Sequence, residues 1–137
     1  MSYVFLSHTA DVKFRAVGDT LSEMFVSAAG ALNETIRGEI KIVENIEKQI
    51  ELQGSDFESL LYNFLEEMLI RLDSEDFLVS TIKNISIDEQ NFSLKATFVG
   101  DKAENYVFTN DVKAVTYSEM FVKKENEKWA CEVVLDV

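Results

Sequence analysis

Val12-Lys13-Phe14-Arg15-Ala16-Val17-Gly18-Asp19-Thr20-Leu21-Ser22-Glu23-Met24-Phe25 changes its hydrophobic period within one short run. Val12, Phe14 and Ala16 alternate with Lys13, Arg15 and Val17, which is the period-two pattern of a strand with one apolar face. Gly18-Asp19 makes a turn. Thr20-Leu21-Ser22-Glu23 then reads as a capping box, in which the Thr20 hydroxyl satisfies the Glu23 amide and Glu23 reaches back. From there Leu21, Met24, Phe25, Ala28, Ala29 and Leu32 recur at three and four, the stripe of an amphipathic helix, and Ala28-Ala29-Gly30 permits close packing on a sheet. A strand feeding directly into a helix sets the expectation of a mixed fold.

Upstream, Tyr3-Val4-Phe5-Leu6 is a second strand-like run, joined to the first by the polar corner Ser7-His8-Thr9-Ala10-Asp11. Extending the alternation backwards places Asp11 on the side of Lys13 and Arg15, away from the buried face. Downstream, the helical pattern dissolves after Asn33, and Glu39 to Gln53 reads as extended. Ser55-Asp56-Phe57-Glu58 is a second capping box. It opens a strong helix in which Leu60, Leu61, Phe64, Leu65, Met68, Leu69 and Leu72 keep helical spacing, with Arg71 in its last turn and a stop at Asp73-Ser74.

From Phe77 the period returns to two. Val79 to Ile87, Asn91 to Val99, Val112 to Lys123 and Trp129 to Val137 are four strands. Asp88 to Asn91 and Glu125 to Lys128 form hairpin tips, and Gly100 to Asn105 is a looser polar link. In the last strand Trp129, Cys131, Val133 and Leu135 share one face, with Glu132 and Asp136 on the other. The expected fold is α+β: one domain over residues 1–137, two amphipathic helices packed on a largely antiparallel β-sheet.

The composition narrows the function. A chain of 137 residues with 47% hydrophobic and 28% charged residues suits one compact core, in which ten phenylalanines dominate. The formal net charge of −12 opposes phosphate and anionic lipid, so direct nucleic-acid or membrane binding is not expected. Cys131 is the single cysteine, so no internal disulfide forms; it lies among core-facing residues, where a thiol is inert. There is no leader-like start and no apolar run approaching the ~20 residues of a membrane span, and a cytoplasmic location is expected. No Gly-rich phosphate loop, Ser/His/Asp set or paired metal-protease histidines occur, which argues against autonomous catalysis.

Several polar residues stand out. His8 is the only histidine, and without a cysteine partner it makes a poor zinc site. Lys113 and Tyr117 share a strand face and could contact a partner. Asp136 and Val137 close the chain, so a side-chain carboxylate and a terminal carboxylate sit one residue apart. Taken alone, Asp11 could simply make a turn and Asp136 could be a solvated end residue.

Four ordered blocks resemble the archease family: His8-Thr9-Ala10-Asp11 with Gly18-Asp19-Thr20-Leu21, Asp56-Phe57-Glu58-Ser59-Leu60-Leu61, Lys113-Ala114-Val115-Thr116-Tyr117, and the closing Val134-Leu135-Asp136-Val137. They cover almost the whole chain. The resemblance implies a non-enzymatic activator of the GTP-dependent tRNA-splicing RNA ligase. Such a protein promotes guanylylation of the ligase, meets GTP only through it, and restores multiple turnover. It further implies a divalent metal ion, calcium, held by Asp11, Asp136 and Val137. The family often has histidine after the Ala-Val-Thr-Tyr block, where Ser118 stands here, so no proton or metal role carries over to that position. Gly100-Asp101 replaces the family's usual Gly-Glu and keeps the charge. The alternatives are a general chaperone-like modulator of protein–nucleic-acid complexes and, less in keeping with the residues, a small metal-dependent hydrolase.

Overall fold

The computed structural model describes residues 1–8 and 11–137; Thr9 and Ala10 of the polar corner lie outside the described residues. Strands β1 (Ser2–Leu6) and β2 (Val12–Gly18) precede helix α1 (Leu21–Arg37), β3 (Ile46–Gln53) and helix α2 (Phe57–Glu75). Then come β4 (Phe77–Asp88), β5 (Ser93–Lys102), a 3-10 turn at Ala103–Asn105, β6 (Ala114–Glu125) and β7 (Lys128–Asp136). All pairings are antiparallel, but they build two sheets rather than one: β1-β2-β7-β6 and β3-β5-β4.

The helices join the two sheets. α1 packs on β1, β2 and β7 of the first and on β4 of the second, while α2 packs on β6 of the first and on β3 and β4 of the second. Phe64 of α2 is fully buried, with Phe25 of α1 at 5.5 Å and Phe98 of β5 at 5.7 Å between ring centroids. Alternation in the sequence could show that each strand has an apolar face; it carried no information about which strands share a sheet.

Local signals fared differently at each helix end. At α1 the Thr20 hydroxyl accepts from Glu23 N at 3.1 Å, and the Glu23 carboxylate returns to the Asp19 amide at 2.9 Å. The helix continues past Asn33 to Arg37 because Ile36 is buried, and it stops at Gly38, whose φ of 64° suits glycine. At α2 the capping box is Asp56 with Ser59, not Ser55 with Glu58. Glu58 instead accepts from Val122 N of β6 at 3.0 Å, tying helix to strand. Arg71 lies short of the last turn and pairs with Glu67 and Glu75 along the helix. The extended segment is only Ile46–Gln53; residues 39–45 are irregular. β5 runs through Gly100 to Lys102, where a loose link was expected, because Gly100 and Asp101 pair with Val79 and Leu78.

The most consequential difference lies in β6. Thr116 pairs with Val134 and Phe121 pairs with Glu132, so four residues, Tyr117-Ser118-Glu119-Met120, stand opposite Val133 alone. Glu119 takes a left-handed φ of 55° within this bulge. The bulge exchanges the two faces of the strand: Val115 and Val122 are both buried, whereas unbroken alternation would have paired Val115 with Phe121.

Candidate functional site

The β2–β7 register ends at Val12 opposite Leu135, and Asp11 and Asp136 are the residues that adjoin this last pair along the two chains. The two acids that the sequence places at opposite ends of the chain are therefore brought to the same end of the four-stranded sheet. Both are half-buried. β6 closes the other side: Ala114 pairs with Asp136, and the Asp136 carbonyl accepts from Lys113 N at 2.7 Å. That bond uses the Asp136 main-chain oxygen and leaves its carboxylate for other work. Val137 follows directly, half-buried, and can offer only main-chain oxygen.

The outer face next to this pair is an ionic ladder. Glu125 meets Arg15 at 2.6 Å, Arg15 meets Glu132 at 3.0 Å, Glu132 meets Lys13 at 3.4 Å, Lys13 meets Glu119 at 3.7 Å, and Glu119 meets His8 Nε2 at 3.0 Å. The hydrogen bond from His8, followed by the charge of Lys13, holds the Glu119 carboxyl below the usual carboxylate range. Arg15 and Lys13 each meet two carboxylates of the ladder. Among the described residues, no ion pair reaches Asp11 or Asp136.

Such a pair suits an oxygen-seeking cation. Calcium takes six to eight oxygens, so two carboxylates and a main-chain oxygen would leave water in the remaining positions. Among the described residues no three of His, Cys, Asp and Glu converge as a metal-holding group. A closed zinc-type centre is thus not formed by these side chains, and His8 is engaged by Glu119 rather than turned to a metal.

Other residues singled out in the sequence take structural positions. Cys131 is fully buried and desolvation pushes its thiol up to about 12, which leaves no thiolate at neutral pH. Asp101 is buried, accepting from the Tyr106 hydroxyl at 2.8 Å and from Asn105 at 3.4 Å. Ser118 is exposed, and its amide donates to Thr116 Oγ1 at 3.3 Å. Lys113 is exposed at the edge of the acidic pair, and Tyr117 is exposed in the bulge.

Glu119 and Tyr62 escaped the sequence reading. The signal for Glu119 was available: Met120-Phe121-Val122 places three apolar residues in succession, and a half-buried strand interrupts its alternation that way at a bulge. No local pattern marks Tyr62, whose partner lies on a distant strand.

Comparison with known proteins agrees over the same span. The model of the Archease protein family matches residues 3–137. The chain is 35% identical over 139 residues to the protein archease of Methanosarcina mazei, covering 98% of this chain and 95% of that protein. It is 37% identical over 134 residues to the protein archease of Pyrococcus abyssi, covering 95% and 94%. The solution structure of a Methanobacterium thermoautotrophicum protein superposes with a TM-score of 0.80 at 33% identity, over 98% of both chains. An archease of Thermotoga maritima, described as a possible chaperone, shares the fold with a TM-score of 0.68 at 20% identity. By family match and by relatives aligned over nearly its full length, this chain belongs to the archease family.

Proposed function

We propose that this protein is a non-enzymatic activator of the GTP-dependent tRNA-splicing RNA ligase, promoting ligase guanylylation and multiple turnover, with a calcium-type ion held by Asp11, Asp136 and Val137. The observation that supports this reading is the β2–β7 register, which brings Asp11 and Asp136 to the same end of the sheet, with no cation of the ladder paired to either. Bound there, the ion would supply positive charge and open coordination positions to oxygen ligands. The chain's own part is to hold two carboxylates together on a rigid sheet end, with Lys13 kept away by Glu119 and Glu132. The net charge of −12 complements a basic RNA-binding enzyme, so the association is expected to weaken as salt rises.

The test is transfer of label from GTP onto the purified cognate ligase, at limiting ligase and excess RNA. The wild-type chain is expected to raise labelled ligase and turnover, and folded Asp11→Ala and Asp136→Ala variants are expected to abolish the stimulation. Equal stimulation by the variants would favour the chaperone-like alternative and return both acids to ordinary surface roles.

The metal half of the proposal has its own readout. Facing like charges cost up to about 1 kcal/mol. In chelator, Asp136→Asn is therefore expected to be at least as stable as wild type. Calcium at a hundredfold its dissociation constant should add about 2.7 kcal/mol to the wild type and almost nothing to the variant. Thermal unfolding across a calcium titration measures both. Equal stabilisation of the two proteins would remove Asp136 from the site.

A further inference from the structure

Tyr62 of α2 and Tyr117 of the β6 bulge lie face to face, with ring centroids 4.3 Å apart and planes within 10°. The phenylalanine and tryptophan contacts in the core are tilted or edge-on, as at Phe64–Phe98 and Phe57–Trp129. The stack is also unusual in being open: Tyr117 is 53% exposed although one face of its ring lies on Tyr62. A ring serving only to fill the core would be covered.

Asp56 completes the arrangement. It is exposed, its Oδ1 accepts from Ser59 N at 2.7 Å, and its Oδ2 has no hydrogen-bond partner among the described residues. It caps the helix that carries Tyr62, and the Tyr117 hydroxyl pKa is raised by burial, by Tyr62 and by the Asp56 charge. An aromatic plane with an acid beside it selects a flat cation. A nucleotide would present its base to the ring but its phosphates to a chain of net charge −12. A guanidinium stacks on the ring and still pairs with a carboxylate through its fork of donors, which an ammonium does less well.

Resting on the activator reading above, we propose that Tyr117, backed by Tyr62 and flanked by Asp56, is the docking platform for an arginine side chain of the ligase.

Binding of the purified ligase to the immobilised full chain, at low and moderate salt, tests the assignment. Tyr117→Ala is expected to weaken binding about 30-fold, the size of an interface hot spot, and Tyr117→Phe to stay within about twofold because the ring remains. Asp56→Asn keeps a good helix cap, so its loss of about tenfold, with a shallower salt dependence, would report the missing charge and not a damaged helix. Melting temperatures of all three variants serve as the folding control. If the wild type binds and folded Tyr117→Ala and Asp56→Asn bind equally well, the arginine platform is overturned while the activator reading survives. If the wild type does not bind the ligase, both fall. If Tyr117→Ala leaves ligase affinity unchanged but removes binding of GMP to the free chain, the stack takes a base and the arginine assignment is wrong.

Discussion

Phe64→Ala is expected to lose about 3–5 kcal/mol of stability, the range for truncating a fully buried phenylalanine. Its ring is shared by α1, through Phe25, and by the three-stranded sheet, through Phe98, so the vacated volume lies where helices and sheets meet. Phe25 and Phe98 are themselves fully buried, so neither can move in without leaving its own place in the core. Against a typical total of roughly 5–15 kcal/mol this is a large fraction, and the melting temperature should fall by about 10 °C or more. Trp129 packs edge-on against Phe57 at 5.4 Å and reports the joint between α2 and β7. Its fluorescence and the circular dichroism should shift together in urea if the two sheets unfold as one unit. Separate transitions would show that the helices do not couple the sheets. A loss below 1 kcal/mol would show that the Phe64 site can collapse.

Gly100→Ala is the second change expected to be severe. Gly100 lies buried in β5 opposite Val79, beside the bulge at Ser80, and a Cβ there would overlap the Leu78 carbonyl. The obstruction is backbone, so no rotamer relieves it. β4 and β5 would have to separate locally at a cost of about 3 kcal/mol or more. Gly38→Ala is the informative control. Gly38 has a φ of 64° and a ψ of −147°, a region used almost only by glycine, but open space around it, so its cost should be the backbone penalty alone, about 1–3 kcal/mol. Urea unfolding of the two variants separates steric from conformational cost; equal losses would mean that the close approach at Gly100 is not what matters there.

The elements themselves were legible because each rests on local physics. Thr20 with Glu23 announced α1, the leucine spacing after Leu60 announced α2, and Asp88 and Glu125 marked the hairpin tips. Legibility failed where two nearby solutions were locally equivalent. Ser55 with Glu58 and Asp56 with Ser59 are both plausible caps one residue apart, and the choice turned on Glu58 having a partner on β6. The candidate site was half visible. Period-two parity put Asp11 and Asp136 on polar faces, and the family resemblance joined them, yet only the β2–β7 register brings them to the same end of one sheet.

By itself the sequence determined the α+β class, two amphipathic helices, antiparallel strands and an acidic surface, since these follow from hydrophobic period, turn residues and charge. Tertiary structure alone decided the partition into two sheets, the exchange of faces at Tyr117–Met120, the Tyr62–Tyr117 stack and the ladder that occupies Lys13 and Arg15. The reason is physical. Period and capping are set within a few residues, whereas strand pairing and cross-strand charge contacts depend on which distant surfaces the core brings together.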